Sequence, residues 1–286
     1  MRKFLVSGAT GIYMLSVLAF TVYFAGDIKA SATDFGIMCI NGAYPVAAIE
    51  YADSRDNEEV SETVKPADEE KEKEEKTEEP KKPVVFGDKP AVLILHTHAT
   101  ESYLPTSSGN YHSKKEKNTV RDVGNVLAKS LEAEGISVVH DKTLHDSPSY
   151  NNSYYRSYET AQALLKKYPT VKCVIDLHRD AISSKGSAAT VKINGKVCSK
   201  YSYVIGTTAS TYKQNKAFIS NLNKVAKASY SGYTGKVIER GYTYNQNLSS
   251  KYLLLEVGYN RNQIEEARNS AHLFGKILAD TLKKGY

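Results

Sequence analysis

The sequence predicts an α/β fold: a mostly parallel, twisted sheet sandwiched by helices, preceded by one transmembrane helix and a disordered linker. Three observations carry this expectation. Beyond residue 84, short continuous apolar runs alternate with stretches of helical periodicity, the pattern of strand–helix–strand units whose strands are buried on both faces. Near the start, a long uncharged run follows two cations. Between them, residues 51–82 are acidic and almost free of large apolar side chains. The organisation expected is therefore a membrane segment over 1–32, an acidic low-complexity linker over 33–84 and a folded domain over 85–286. Hydrophobic residues at 41% and charged residues at 24% are ordinary for a globular chain. Three cysteines, an odd number, exclude a fully paired disulfide framework, and Cys39, Cys173 and Cys198 read as small buried side chains.

Arg2 and Lys3 precede 23 uncharged residues, Phe4 to Gly26. As a helix at ~1.5 Å per residue these reach about 34 Å, enough for a ~30 Å hydrocarbon core. The leading cations predict a cytoplasmic N-terminus and export of the remainder. A cleaved signal peptide is the alternative, with Ala30-Ser31-Ala32 as the cleavage region. The apolar run exceeds a signal h-region of ~7–15 residues, which favours an uncleaved anchor. Residues 33–50 stay ambiguous.

Residues 51–82 hold 13 acidic and 7 basic side chains. Such a segment cannot bury enough apolar surface to fold and reads as a solvated tether. The whole chain is +6, residues 1–50 sum to zero and 51–82 to −6, so residues 83–286 carry +12. An exported domain of that charge meets anionic polymers, and outside a bacterial membrane these are wall peptide carboxylates and teichoic phosphates. Export argues against nucleic acid as a partner.

Within the folded part, Pro90–Leu95 is a buried-strand run and Thr119–Glu134 is helical, ended by Gly135. Ile136–His140 reads as a strand, Tyr155–Tyr168 as a helix closed by Pro169, and Val171–Leu177 as a third strand. Lys185–Gly206 is β-rich and contains Asn194-Gly195, a hairpin signal. Tyr212–Tyr230 is helical, Lys236–Gly241 and Lys251–Val257 are strands, and Gln263–Lys284 is the last helix.

In parallel α/β sheets, sites lie beyond the carboxyl ends of the strands. Three strands here end in metal-capable residues: VLILHTHATESYLP with His96, His98 and Glu101; CVIDLHRDA with Asp176, His178, Arg179 and Asp180; YLLLEVGYNRN with Glu256. Imidazole nitrogens and carboxylates suit a catalytic zinc with one open position, and a further carboxylate suits a general base. Structural readings stand beside this one: a histidine after a strand is commonly a hydrogen-bonded core residue, and Glu256 could pair with Arg261. Arg179 and Arg156 are candidates for binding substrate carboxylates through their planar forks, or for ion pairs with Asp180 and Glu159. His140 and His145 read as surface or supporting residues. The chain has 21 tyrosines and no tryptophan, and clusters around 150–158 and 230–244 could line a groove.

HTHATESYLP, GISVVHDKTLHD, CVIDLHRDA and LLLEVGYNRN, in this order, resemble the stage II sporulation protein P family, a branch of the zinc N-acetylmuramoyl-L-alanine amidases of the cell wall. The resemblance covers nearly all of 83–286, and a membrane anchor with a spacer also suits it. It implies a zinc amidase-like version of the fold. It implies a zinc-dependent peptidoglycan hydrolase at the septal membrane between mother cell and forespore, its catalytic domain extracytoplasmic, acting in engulfment. It further implies endopeptidase activity, and as partners a glycan-cleaving stage II sporulation protein D and other engulfment membrane proteins. Carried over residue by residue, zinc is expected on His98 or His96, Glu101 and His178, with Glu256 as general base. In the wider superfamily the ligand glutamate lies nearer the first helix, where this chain has Glu116. HSKKEKN around it reads as surface, which favours Glu101. His96 and His98 are expected on one face of the strand, with a lean to His98. The alternatives are a metallo-endopeptidase acting only on stem-peptide cross-links, and a non-catalytic wall-binding scaffold.

Overall fold

Strands of three to eight residues, most of them separated by amphipathic helices, fold here into one seven-stranded sheet with helices on both faces. The computed structural model describes residues 84–86, 89–106, 110–183 and 186–285. The apolar run 4–26, Cys39 and the acidic segment lie outside the described residues. Among the described residues no helix is long and apolar enough to cross a membrane.

The strands are β1 Val84–Phe86, β2 Val92–Leu95, β3 Val138–His140, β4 Cys173–Asp180, β5 Thr190–Ile193, β6 Lys196–Ser199, β7 Tyr201–Gly206, β8 Lys236–Arg240 and β9 Tyr252–Tyr259. The helices are α1 Val120–Ala133, α2 Ser153–Lys167, α3 Tyr212–Ser229 and α4 Ile264–Lys283. The sheet order is β1-β3-β2-β4-β9-β7-β8. β3, β2, β4 and β9 run parallel, whereas β7 is antiparallel to β9 and parallel to the edge strand β8. β1 pairs antiparallel with β3 and is an addition to the elements expected. β5 and β6 form a separate hairpin, turning at Asn194 and Gly195 with φ of +49° and +80°, as the Asn-Gly pair predicts.

Alternation along the strands divides the core. Val92 and Ile94, Ile175 and Leu177, and Leu253 and Leu255 join apolar residues of α1, α3 and α4 in one cluster. Leu93, Leu95, Val174 and Tyr252 pack with Ala161 and Leu164 of α2 in the other. The α4 N-terminus carries a reciprocal capping pair, Gln263 with Glu266, which satisfies backbone donors at the helix start.

One boundary matters for function. The third expected strand ends at Leu177, but β4 continues to Asp180. His178 and Arg179 therefore sit on the strand itself. By alternation Asp176 and His178 share the α2 face with Val174, and Glu256 shares it with Tyr252.

Candidate active site

β2 stops at Leu95, and a turn brings the chain back on itself, with the Glu101 N–H donating to the His98 carbonyl (3.2 Å). That turn sets His98 and Glu101 side by side, His98 Nδ1 being 3.5 Å from Glu101 Oε1. The other carboxylate oxygen, Oε2, is 3.5 Å from His178 Nδ1. Ligand atoms of His98, Glu101 and His178 all lie within 4.8 Å of one another. Zinc bonds of ~2.0–2.2 Å at tetrahedral angles put neighbouring ligand atoms about 3.3–3.5 Å apart. The donors present, two imidazoles and a carboxylate, fit that ion in chemistry and in spacing.

The surrounding bonds fix this arrangement. His178 Nε2–H donates to Asp176 Oδ1 at 2.9 Å, which turns the ring's Nδ1 toward Glu101. A carboxylate behind a ligating imidazole selects its tautomer and holds the ring. Asp176 is itself held by the Thr97 N–H (2.8 Å) and hydroxyl (2.6 Å). Burial opposes its charge, but His178 and Thr97 outweigh that and bring the carboxyl down to about 2. Burial likewise opposes protonation of His178, yet Asp176 and Glu101 hold its pKa well above the usual value. Glu101 is buried too, and Arg179, His178 and His98 still keep its carboxyl well below the usual range.

Glu256 sits on β9 as the direct partner of His178 on β4. Its Oε2 is a buried carboxylate oxygen without a hydrogen-bond partner. Burial pushes its pKa up to about 8, against the pull of His178 and with help from Glu101 and Asp180. A bound cation acts the other way and favours the carboxylate. The site thus offers one acidic ligand kept ionised and one carboxylate poised to exchange a proton.

Three expectations are corrected. His96 does not join the cluster. The strand ends before it, and its ring is wholly buried, with Nδ1–H donating to the Leu177 carbonyl and Nε2 facing His140 Nε2, both at 2.9 Å. Burial lowers its pKa to about 3 and holds His140 well below the usual value, so both rings are neutral. Arg156 bonds the carbonyls of His145 and Ser149; it clamps the loop before α2 in place of a substrate carboxylate. Arg179 reaches the site but braces it: its N–H donates to Glu101 Oε2 (3.0 Å) and its Nη2 to the Tyr111 carbonyl (3.0 Å).

Glu116 stands apart, paired with Lys142 at 2.7 Å and with Asn125. His145 is buried, bonded to the His96 carbonyl and to Thr160. Cys173 and Cys198 are free and buried. Sequence reasoning missed the role of Asp176; its signal was the Asp-x-His spacing, which puts both side chains on one strand face.

The model of the stage II sporulation protein P family matches residues 14–279. The chain belongs to that family. The stage II sporulation protein P of Bacillus subtilis (strain 168) is 32% identical over 210 residues, which cover 68% of this chain and 51% of that protein. The chain thus spans about half the length of this curated relative. Among solved structures, the catalytic domain of CwlV, an N-acetylmuramoyl-L-alanine amidase from Bacillus (Paenibacillus) polymyxa var. colistinus, is 18% identical with a TM-score of 0.41. That match covers 68% of this chain and 97% of the other. The CwlD amidase from Clostridioides difficile, solved in complex with the GerS lipoprotein, is 14% identical over 68% of this chain and 97% of its own, with a TM-score of 0.41.

Proposed function

We propose that this member of the stage II sporulation protein P family is a zinc-dependent peptidoglycan hydrolase that cleaves the N-acetylmuramoyl-L-alanine amide, and stem-peptide cross-links beside it. The observation that carries the reading is the convergence of His98, Glu101 and His178 beside a carboxylate, Glu256, whose Oε2 has no partner. A scaffold that only binds the wall has no use for that set. Bound zinc would supply a Lewis acid for the amide carbonyl and a water of pKa near ~7. His98, Glu101 and His178 would hold it. Asp176 keeps His178 in the ligating tautomer. Arg179 keeps Glu101 in place through its backbone N–H.

Glu256 Oε2 takes the proton of the attacking water and delivers it to the departing alanine nitrogen. One water is consumed. The lactyl carbonyl becomes a carboxylic acid and L-alanine leaves with a free amine. The +12 charge of residues 83–286 holds an anionic wall strand near the site. On this reading the run 4–26 anchors the protein, its catalytic domain works outside the septal membrane during engulfment, and a stage II sporulation protein D-like glycan hydrolase is a partner.

Mass analysis of wall fragments released by the full chain tests the bond assignment. New amino-terminal L-alanine on free peptides supports the amidase. Release of cross-link fragments alone would replace it by an endopeptidase.

A further inference from the structure

The chemistry above leaves unused a row of aromatic rings that begins at the metal cluster. Tyr150 stacks on His98 with centroids 4.1 Å apart, and Tyr154 meets the same imidazole edge-on at 5.6 Å. Tyr154 touches the Tyr244 ring at 5.7 Å, and Tyr244 touches Tyr242 at 5.7 Å. Tyr150 is 46% exposed, and the other three are half-buried.

The loop that carries the outer rings is held in place without a ligand. Tyr244 and Asn245 both have left-handed backbone, with φ of +49° and +56°, uncommon outside glycine and maintained only where the surroundings impose it. The surroundings are specific. Gln246 is buried, its Oε1 accepting from Gly206 N–H (2.9 Å) and its Nε2 donating to the Val204 carbonyl (2.8 Å). A Cβ at Gly206 would fall 2.1 Å from the Tyr242 carbonyl oxygen, so only glycine admits this approach. Asn245 Nδ2 donates to the Tyr154 carbonyl (2.9 Å) and to Ser157 Oγ (3.1 Å), joining the two tyrosine-bearing segments. Rings ordered in advance lower the entropy lost on binding.

Beside the tyrosines the polar groups are mainly neutral: phenols, the Asn245 amide, and the Thr208 and Thr243 hydroxyls, 3.2 Å apart. Arg240, at the outer end, donates to the Glu239 carbonyl. The loop with exposed Lys114 and Lys115 reaches the inner end of the row, where its His112 meets the Tyr150 ring edge-on at 6.3 Å. A ligand with apolar ring faces and neutral hydroxyl and acetamido groups matches the rings and their neutral neighbours.

We propose that Tyr150, Tyr154, Tyr244 and Tyr242 form a saccharide subsite that takes N-acetylhexosamine rings of the glycan. This rests on the hydrolase reading and names the residues that take the glycan part of its substrate. The test is calorimetric titration of the full chain, zinc-loaded in detergent micelles, with two probes: an N-acetylglucosamine tetramer and a free stem pentapeptide. The wild type should bind both. Tyr242→Ala and Tyr244→Ala should each weaken the tetramer by about tenfold or more and leave the pentapeptide unchanged, while Tyr244→Phe, which keeps the ring, should bind the tetramer as the wild type does. Melting curves check folding; if Tyr244→Ala does not fold, Tyr242→Ala decides. The proposal falls if the wild type does not bind the tetramer, if folded alanine variants bind it as tightly as the wild type, or if they lose the pentapeptide instead. Neither probe contains the muramoyl amide, so this result stands apart from the wall-fragment assay.

Discussion

His178 and Glu256 face each other as direct partners on two adjacent parallel strands. Their side chains therefore leave the same face of the sheet next to one another, and the proposed mechanism makes one a metal ligand and the other a proton acceptor. The separation of roles comes from the neighbours. Asp176 and Glu101 surround His178 with negative charge, whereas Glu256 is left with an unpartnered oxygen.

Asp176→Asn should weaken zinc binding by ~10–100-fold, the usual cost of losing the partner behind a ligating histidine. The amide can keep its oxygen on His178 Nε2–H and the Thr97 N–H, which share Oδ1, but it offers the imidazole no negative charge and turns its NH2 toward the Thr97 and Tyr252 hydroxyls at Oδ2. Competition with a chelating dye measures this. An unchanged affinity would mean that the carboxylate charge behind His178 does not support the metal ligand.

Zinc uptake should release protons. The pKa of His178 is raised, so the metal-free ring is protonated at neutral pH, and Glu256 at about 8 is mostly protonated there too. Zinc requires neutral His178 and favours ionised Glu256. Binding at pH 7 should release about one to two protons, and affinity should rise with pH until both groups have lost theirs. Calorimetry in two buffers of different ionisation enthalpy gives the count, which Glu256→Gln should lower. No release from the wild type would contradict these protonation states.

His96 should prove structural. His96→Gln should keep about one zinc per chain, as a single catalytic site holds, with a lowered Tm. Gly124→Ala should act on the same pair from outside, because its Cβ would lie 2.6 Å from His140 Nε2. Overpacking of ~1–3 kcal/mol lowers Tm by about 2–4 °C per kcal/mol at this size. Loss of zinc from a folded His96 variant would return that residue to the ligand set.

The acidic segment should act as a passive tether. Replacing Asp68–Pro80 by a Gly/Ser linker of equal length should leave hydrolysis by the purified chain unchanged. A large loss would assign the segment a regulatory role.

Much of this fold was legible because its central strands are continuous apolar runs and its helices keep a strict apolar spacing. β1 was not: three residues at a sheet edge carry no periodicity, and only β3 defines them. The extension of β4 to Asp180 was hidden for a related reason. A strand that passes under a site loses its apolar character there, and β4 also shifts register between His178 and Asp180. His96 and His98 were expected on one face by extending strand alternation past Leu95, where the chain already turns. Glu101, His178 and Glu256 were readable as chemistry at strand ends. Arg156 misled, since a guanidinium in a sequence does not reveal whether backbone carbonyls will claim it.

Zinc content measured beside wall release, in Glu256→Gln and Glu101→Gln, bears most directly on the division of roles. Glu256→Gln should keep about one zinc per chain and lose ~10²–10⁴-fold in rate, because the amide still hydrogen-bonds but accepts no proton. Glu101→Gln should lose metal and activity together, because a neutral amide is a poor zinc ligand. Zinc lost from the Glu256 variant and retained by the Glu101 variant would reverse the two roles, and full activity in both would contradict the mechanism.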